Sequence, residues 1–120
     1  MAILAVVDDL FFRAKIETAA NMAGHEVTFA DGTAGVPLPP VGNTWRLILV
    51  DLHLSGADPI ALIEQLRRLH SKASLIGYGS HVQVELRERA LHAGCTEVWP
   101  RSVFVQRLPA IFGVRKDIHG

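Results

Sequence analysis

A chain of 120 residues, 49% of them apolar, is long enough for one domain with a real core and too short for a second. Twelve basic residues balance twelve acidic ones, so the formal net charge is zero and there is no electrostatic footprint for nucleic acid. Cys95 is the only cysteine, which excludes an intrachain disulfide and suits the cytoplasm, and no apolar run approaches the ~20 residues of a membrane helix.

The opening segment lacks a basic leader and runs directly into Asp8–Asp9, so Ile3–Val7 reads as a buried strand and not a signal peptide. Phe11–Ala23 has helical spacing: Phe12, Ile16, Ala19, Ala20 and Ala23 share one side, Arg13, Lys15 and Glu17 point to water, and Gly24 ends the run. Glu26–Ala30 reads as a second strand. Asp31–Asn43 carries three Gly and three Pro, including Pro39–Pro40, which predicts irregular chain. Arg46–Val50 resumes as an apolar strand and ends at Asp51.

Asp58 caps the next helix with Pro59 at its first position, and Ile60, Leu62, Ile63, Leu66 and Leu69 supply its buried stripe. Leu75–Tyr78 is a fourth strand. Ser80 with Gln83 forms a capping box for a helix over Val82–Ala93, which stops at Gly94. Glu97–Pro100 is a brief fifth strand, and a last helix falls within Ser102–Phe112 with Pro109 in its interior. The basic clusters Arg67–Arg68 and Arg87–Arg89 are interrupted by acids or apolar residues and read as solvated helix faces. Cys95, directly after Gly94, reads as a small buried hydrophobe.

Apolar strands separated by amphipathic helices predict a parallel sheet covered on both faces, and five such units make a doubly wound α/β domain. Ligands in that architecture bind beyond the carboxyl ends of the strands. Asp8, Asp9, Asp51, Gly79–Ser80 and Arg101 all fall at or just after predicted strand ends, so the polar residues converge on one rim. Carboxylates gathered there repel one another, and a hard divalent cation such as Mg²⁺ removes that penalty. With the cation bound, Asp51 can attack a phosphoryl donor while Arg101 supplies a fixed positive charge. A lone Asp at a strand end is usually a turn or helix cap; the joint placement after the first, third and fifth strands carries the functional reading.

Val6-Val7-Asp8-Asp9, the run Leu47-Ile48-Leu49-Val50-Asp51-Leu52-His53-Leu54, Ala90-Leu91-His92-Ala93-Gly94-Cys95 and the interval from Gly94 to Arg101 resemble the receiver domains of two-component response regulators, over nearly the whole chain. The resemblance implies a flavodoxin-like sheet of strand order 2-1-3-4-5 and a single receiver domain over 1–120, with about 113–120 as a tail. It implies a signalling domain and not an enzyme, beyond self-catalysed phosphoryl transfer and hydrolysis. Asp51 would accept a phosphoryl group from a sensor histidine kinase or phosphotransfer protein. Asp9 and Asp51 would ligate Mg²⁺ directly, Asp8 through water and His53 through its backbone carbonyl, with Arg101 stabilising the phosphoryl group. The output would reach a downstream protein through the face of the family's fourth helix, fifth strand and fifth helix, without a direct nucleic-acid or membrane partner.

The departures from the family pattern are specific. Gly79 stands where the family has a Thr or Ser that hydrogen-bonds the phosphoryl oxygen; the adjacent Ser80 could substitute, although the capping box already accounts for it. Arg101 replaces a lysine, and its planar fork is not an ammonium. Val98 replaces an aromatic switch residue, Ser55 and Ser102 replace two prolines, and the Pro/Gly-rich stretch leaves the second helix short or irregular. The alternative is therefore a pseudo-receiver, an interaction module independent of phosphorylation. A small metal-dependent phosphohydrolase ranks lower, for want of a substrate pocket. His25, His70, His92 and His119 lack zinc-site spacing, a transition-metal site at His53 and His81 ranks lower still, and Trp99 reads as a packed residue.

Overall fold

The strand that organises the fold is β3 (Trp45–Asp51), whose residues are buried at every position except Arg46. A strand so apolar on both faces must sit inside a sheet with helices above and below. In the computed structural model, which describes residues 1–80 and 82–113, it is the central strand of five. The others are β1 (Ala2–Val6), β2 (Val27–Ala30), β4 (Ser74–Gly79) and β5 (Glu97–Pro100), and the helices are α1 (Leu10–Met22), α2 (Pro59–Leu69), α3 (Val84–Ala93) and α4 (Arg101–Ile111). All pairings are parallel in the order β2-β1-β3-β4-β5, the flavodoxin-like arrangement expected of the chain. The edge strands β2 and β5 have four residues each, which leaves little unpaired backbone at the rims.

Side chains alternate across the sheet and build two cores. Leu4, Val6, Ile48, Val50 and Leu75 pack with Leu62, Ile63 and Leu66 of α2 and Ala90 of α3. Ile3, Ala5, Leu49, Ile76 and Tyr78 pack with Phe12 and Ile16 of α1 and Phe104 and Leu108 of α4. Residues 31–44 contain no helix, so the expected irregularity is complete. This loop nevertheless covers the sheet: Val36 packs on the first core, and the Trp45 indole N–H donates to the Pro37 carbonyl at 2.9 Å. Gly32 is required there twice over, because its φ is +89° and a Cβ would stand 2.9 Å from Leu62 Cδ1.

Several boundaries differ from the sequence reading. Asp58 does cap α2, accepting from the amides of Ile60 and Ala61, but Leu69 is 65% exposed because the helix ends there and has turned away from the core. The Ser80–Gln83 capping box does not form. Gln83 is extended at the N-cap position, not in the third helical position the motif needs, and it makes no side-chain cap bond. The helix α4 begins at Arg101, directly after β5, and runs through Pro109, which lies within its last turn and is exposed. Trp99 is half-buried against the second core with the Arg107 guanidinium 4.8 Å above its ring, so it is a packed residue. Burial pushes the Cys95 thiol up to about 12, which leaves it an inert hydrophobe.

Arg67 is the main correction among the basic residues. It is not a solvated charge: its Nε and Nη2 donate to the Gly94 carbonyl at 2.9 and 2.7 Å, and its Nη1 donates to the carbonyls of His70, Ser71 and Ala73. One guanidinium thus ties the end of α2 and the entry to β4 to the end of α3. Gly94, at φ +138°, leaves room for the stem, since a Cβ there would lie 2.6 Å from Arg67 Cβ. We predict that Arg67→Ala destabilises the fold by about 2–3 kcal/mol, because part-buried carbonyls lose a charged donor. Arg67→Lys should recover less than half, since an ammonium cannot span these acceptors. Urea unfolding of the two variants measures both effects; a loss below about 0.5 kcal/mol for Arg67→Ala would reduce the network to surface decoration.

Candidate functional site

The carboxyl ends of β1, β3 and β4 and the start of α4 supply the polar residues of one rim. Asp51, the last residue of β3, pairs in register with Tyr78 and is 2% exposed, the only buried charged residue among those described. Its Oδ1 accepts the His53 amide at 2.8 Å. Burial raises the pKa of this carboxyl; the His53 hydrogen bond and the charges of Arg101 and His53 oppose the rise, and the nearby charge of Asp8 reinforces it. The carboxylate is therefore held at a cost.

The acidic pair after β1 is divided between two tasks. Asp9 is the N-cap of α1, its Oδ1 accepting from the amides of Phe11 at 2.9 Å and Phe12 at 3.3 Å. The ordinary structural role of a strand-end aspartate is thus present at Asp9. Asp8 reaches across the rim: its Oδ2 accepts from the Ser55 amide at 2.9 Å and the Ser55 hydroxyl at 2.8 Å, which lowers its pKa. The loop after β3 is thereby tied to the end of β1. No group of three or more His, Cys, Asp or Glu side chains forms a metal cluster among the described residues. The suggested His53–His81 site falls partly outside those residues, since His81 is one that the structure does not describe.

Arg101 is the first residue of α4, and its guanidinium carbon lies 4.4 Å over the Phe12 ring. Its Nε is buried without a hydrogen-bond partner among the described residues. The same Phe12 ring stacks on Tyr78 at 5.6 Å, and Tyr78 stacks on Phe104 at 3.9 Å. The Tyr78 hydroxyl is also buried and has no partner among the described residues, and burial, with the charge of Asp51, pushes its pKa far above the usual phenol range. An open cleft of about 680 Å³ runs past Asp9, Phe12, Ser80, Arg101 and Ser102. Ser80 is exposed on this cleft and makes no hydrogen bond into the rim.

Structure therefore gathers Asp8, Asp9, Asp51, His53 and Arg101 at one end of the sheet and leaves Ser80 at its margin. Sequence reasoning missed Ser55 as the partner of Asp8, Phe12 as the support of Arg101, and the place of the His53 ring, which lies over Gly79. The Ser55 and Gly79 contacts join residues far apart in the chain, and no local pattern announces them.

No family model matches the chain. Limbin from Bos taurus is 29% identical over 90 residues, which are 74% of this chain and 7% of limbin. Solved structures align far more completely. A response regulator protein from Burkholderia pseudomallei, with a phosphorylated aspartic acid, calcium ion and citrate, gives a TM-score of 0.75 at 20% identity, over 92% of this chain and 65% of that one. A CheY-like response regulator receiver domain protein from Methanospirillum hungatei JF-1 gives 0.73 at 23% identity, over 89% and 86% of the two chains. The non-phosphorylated HemR receiver domain from Leptospira biflexa gives 0.74 at 18% identity, over 96% of each. At these identities the likeness establishes the fold, and that fold is the receiver-domain fold.

A pKa raised on folding means that ionised Asp51 weakens the fold above its native pKa, and that this cost disappears below the ordinary carboxyl value of 3.8. We predict that Asp51→Asn, which keeps the acceptor for the His53 amide, stabilises the protein at neutral pH by on the order of 1 kcal/mol, or roughly 4 °C in Tm. The gain should shrink as pH falls toward 4. Thermal melts of both proteins from pH 7 downward test this, and a stabilisation that grows on acidification would contradict it.

Proposed function

We propose that this chain is a signalling receiver in which Asp51 accepts a phosphoryl group with Mg²⁺ and a protein partner reads the modified rim. One observation carries the reading: the fold buries a carboxylate at the end of its central strand, between an acidic pair and an arginine. A carboxylate with only a structural task would be cheaper at the surface, whereas a nucleophile benefits from a dry, fixed position. The solved Burkholderia response regulator of the same fold, with its phosphorylated aspartic acid and calcium ion, supports the reading.

The oxygen donors suit a hard cation by type, and because no three carboxylates converge among the described residues, only two of them would bind it directly. Asp9 commits one oxygen to two amides and Asp51 one oxygen to a single amide, and their second oxygens take no hydrogen bond among the described residues. In the proposed arrangement these two carboxylates and the His53 carbonyl hold Mg²⁺ directly and Asp8 holds it through water, a set of few protein oxygens and several waters that fits this ion. When bound, Mg²⁺ neutralises charge on the phosphoryl oxygens.

The chain's own residues do the rest. An Asp51 oxygen attacks phosphorus; the new O–P bond forms as the donor's P–N bond, or its P–O bond in acetyl phosphate, breaks and the leaving group departs with the electron pair. Arg101 answers the charge that develops. Its position is otherwise unfavourable, because a cation on the first residue of a helix opposes the macrodipole by about 0.3–1 kcal/mol. Phe12 offsets part of that cost through its ring, and a phosphoryl group would engage both the guanidinium, with its unpartnered Nε, and the start of α4. The donor would be a histidine kinase or phosphotransfer protein, and the face of α3, β5 and α4 would meet the downstream partner.

A second reading, the phosphorylation-independent pseudo-receiver, is favoured by Gly79, which offers no hydroxyl, and by Val98, which is 3% exposed and has no ring to move. If Asp51→Asn keeps full partner binding, that reading prevails. For the first, acetyl phosphate with Mg²⁺ should add one phosphoryl group to the intact mass, with no gain after chelation of the metal or in Asp51→Asn. An unmodified wild-type chain, beside a control receiver that does react, would end the proposal.

A further inference from the structure

Gly79 closes β4, pairs with Pro100 of β5 and is buried. Its backbone is not in the left-handed region that calls for glycine. The reason for glycine is instead steric. A Cβ on residue 79 would stand 2.6 Å from His53 Nε2 and 2.7 Å from His53 Cδ2, closer than real contacts allow, and 3.3 Å from Val82 Cγ2. The His53 ring therefore occupies the room that a side chain at 79 would fill. The amide of His53 donates to Asp51 Oδ1 at 2.8 Å, which fixes the backbone of the turn after β3, and the ring lies across the rim against β4.

We propose that the His53 imidazole is the side-chain donor that meets a phosphoryl oxygen on Asp51, in the place a hydroxyl at residue 79 would otherwise take. This rests on the phosphoryl-acceptor reading above. An imidazole carries an N–H in either neutral tautomer, so a donor is always present on the ring. Ser80, exposed like His53, makes no hydrogen bond into the rim among the described residues, whereas the His53 ring packs against Gly79 and the Ser55 hydroxyl is taken by Asp8. Residues 53 and 79 are then one functional pair: the donor sits on the loop after β3, and glycine leaves room for its ring at the end of β4. In the transfer from acetyl phosphate, Asp51 oxygen bonds to phosphorus, the P–O bond to acetate breaks, and acetate leaves with the electron pair. His53 loses no proton in that step; its N–H serves as a hydrogen-bond donor to the transferred group.

Reciprocal substitutions test the pair. Intact-mass kinetics with acetyl phosphate and Mg²⁺ should show labelling slowed about 10-fold or more in His53→Ala, on the scale of losing one positioned donor. Gly79→Ser alone should also slow it, because the ring and the new side chain then compete for one space and neither donor is seated. The double variant His53→Ala/Gly79→Ser should label faster than either single one, since the serine hydroxyl then has the space and the position. Thermal melts confirm that each variant is folded, with His53→Asn as a second ring-removing variant. A readout that needs no covalent labelling is the imidazole ¹⁵N signal of His53, which should shift when beryllofluoride and Mg²⁺ are added. Additive losses in the double variant, wild-type labelling in His53→Ala, or an unmoved imidazole signal while beryllofluoride binds would overturn this proposal and leave Asp51 as acceptor. A wild-type chain that neither labels nor binds beryllofluoride would overturn both.

Discussion

The arrangement of this protein follows from one costly fact, a carboxylate carried to the buried end of the central strand. Strand β3 is apolar because it has neighbours on both sides and helices on both faces, and its last residue inherits that burial. Water that would solvate Asp51 is largely excluded, so the charge leans on a single amide hydrogen bond and on the field of the cations nearby. Asp8 is turned toward Ser55, which keeps one of its oxygens occupied and ties the loop after β3 to β1.

Arg101 is held by apolar groups and not by the acids around it. The connection from β5 to α4 has no loop, so the arginine follows the strand end directly and opens the helix. Its guanidinium lies on Phe12, which stacks on Tyr78, which stacks on Phe104. The cation therefore stands on a column of packed aromatic rings that runs into the second core. A column of this kind gives up rotamer freedom in advance, and the cation it supports needs little reorganisation when negative charge develops nearby.

The fold was readable because its signals are local and repeated: apolar runs of strand length, helical stripes, Asp58–Pro59 at a helix start, Gly24 and Gly94 at helix ends. The strand-end aspartates were readable because a parallel sheet places its strand ends on one rim. What escaped were contacts between distant parts of the chain. Arg67 looks like any charge on a helix until the carbonyls of His70, Ser71, Ala73 and Gly94 are seen to gather around it. Ser80 and Gln83 have the spacing of a capping box, yet Gln83 is itself the extended N-cap residue and the helix begins at Val84. Asp9 was correctly placed at the rim, but its capping of α1 depended on a helix start at Leu10 instead of Phe11.

Gly79 shows most clearly why a motif can look broken and a site remain coherent. Compared position by position with the receiver pattern, a glycine there is the loss of a hydroxyl. In three dimensions the neighbouring volume is occupied, because the His53 ring lies 2.6 Å from where the Cβ would be. The aromatic position is different: Val98 is packed in the first core, while the aromatic column beside the site lies on the opposite face of the sheet, with Tyr78 locked between two rings. A ring held at 3.9 Å from its neighbour does not turn without breaking core packing. The rings beneath the rim are thus fixed by the core, so in the proposed receiver any change read by a partner would come from the group at the surface rather than from an aromatic side chain changing rotamer beneath it.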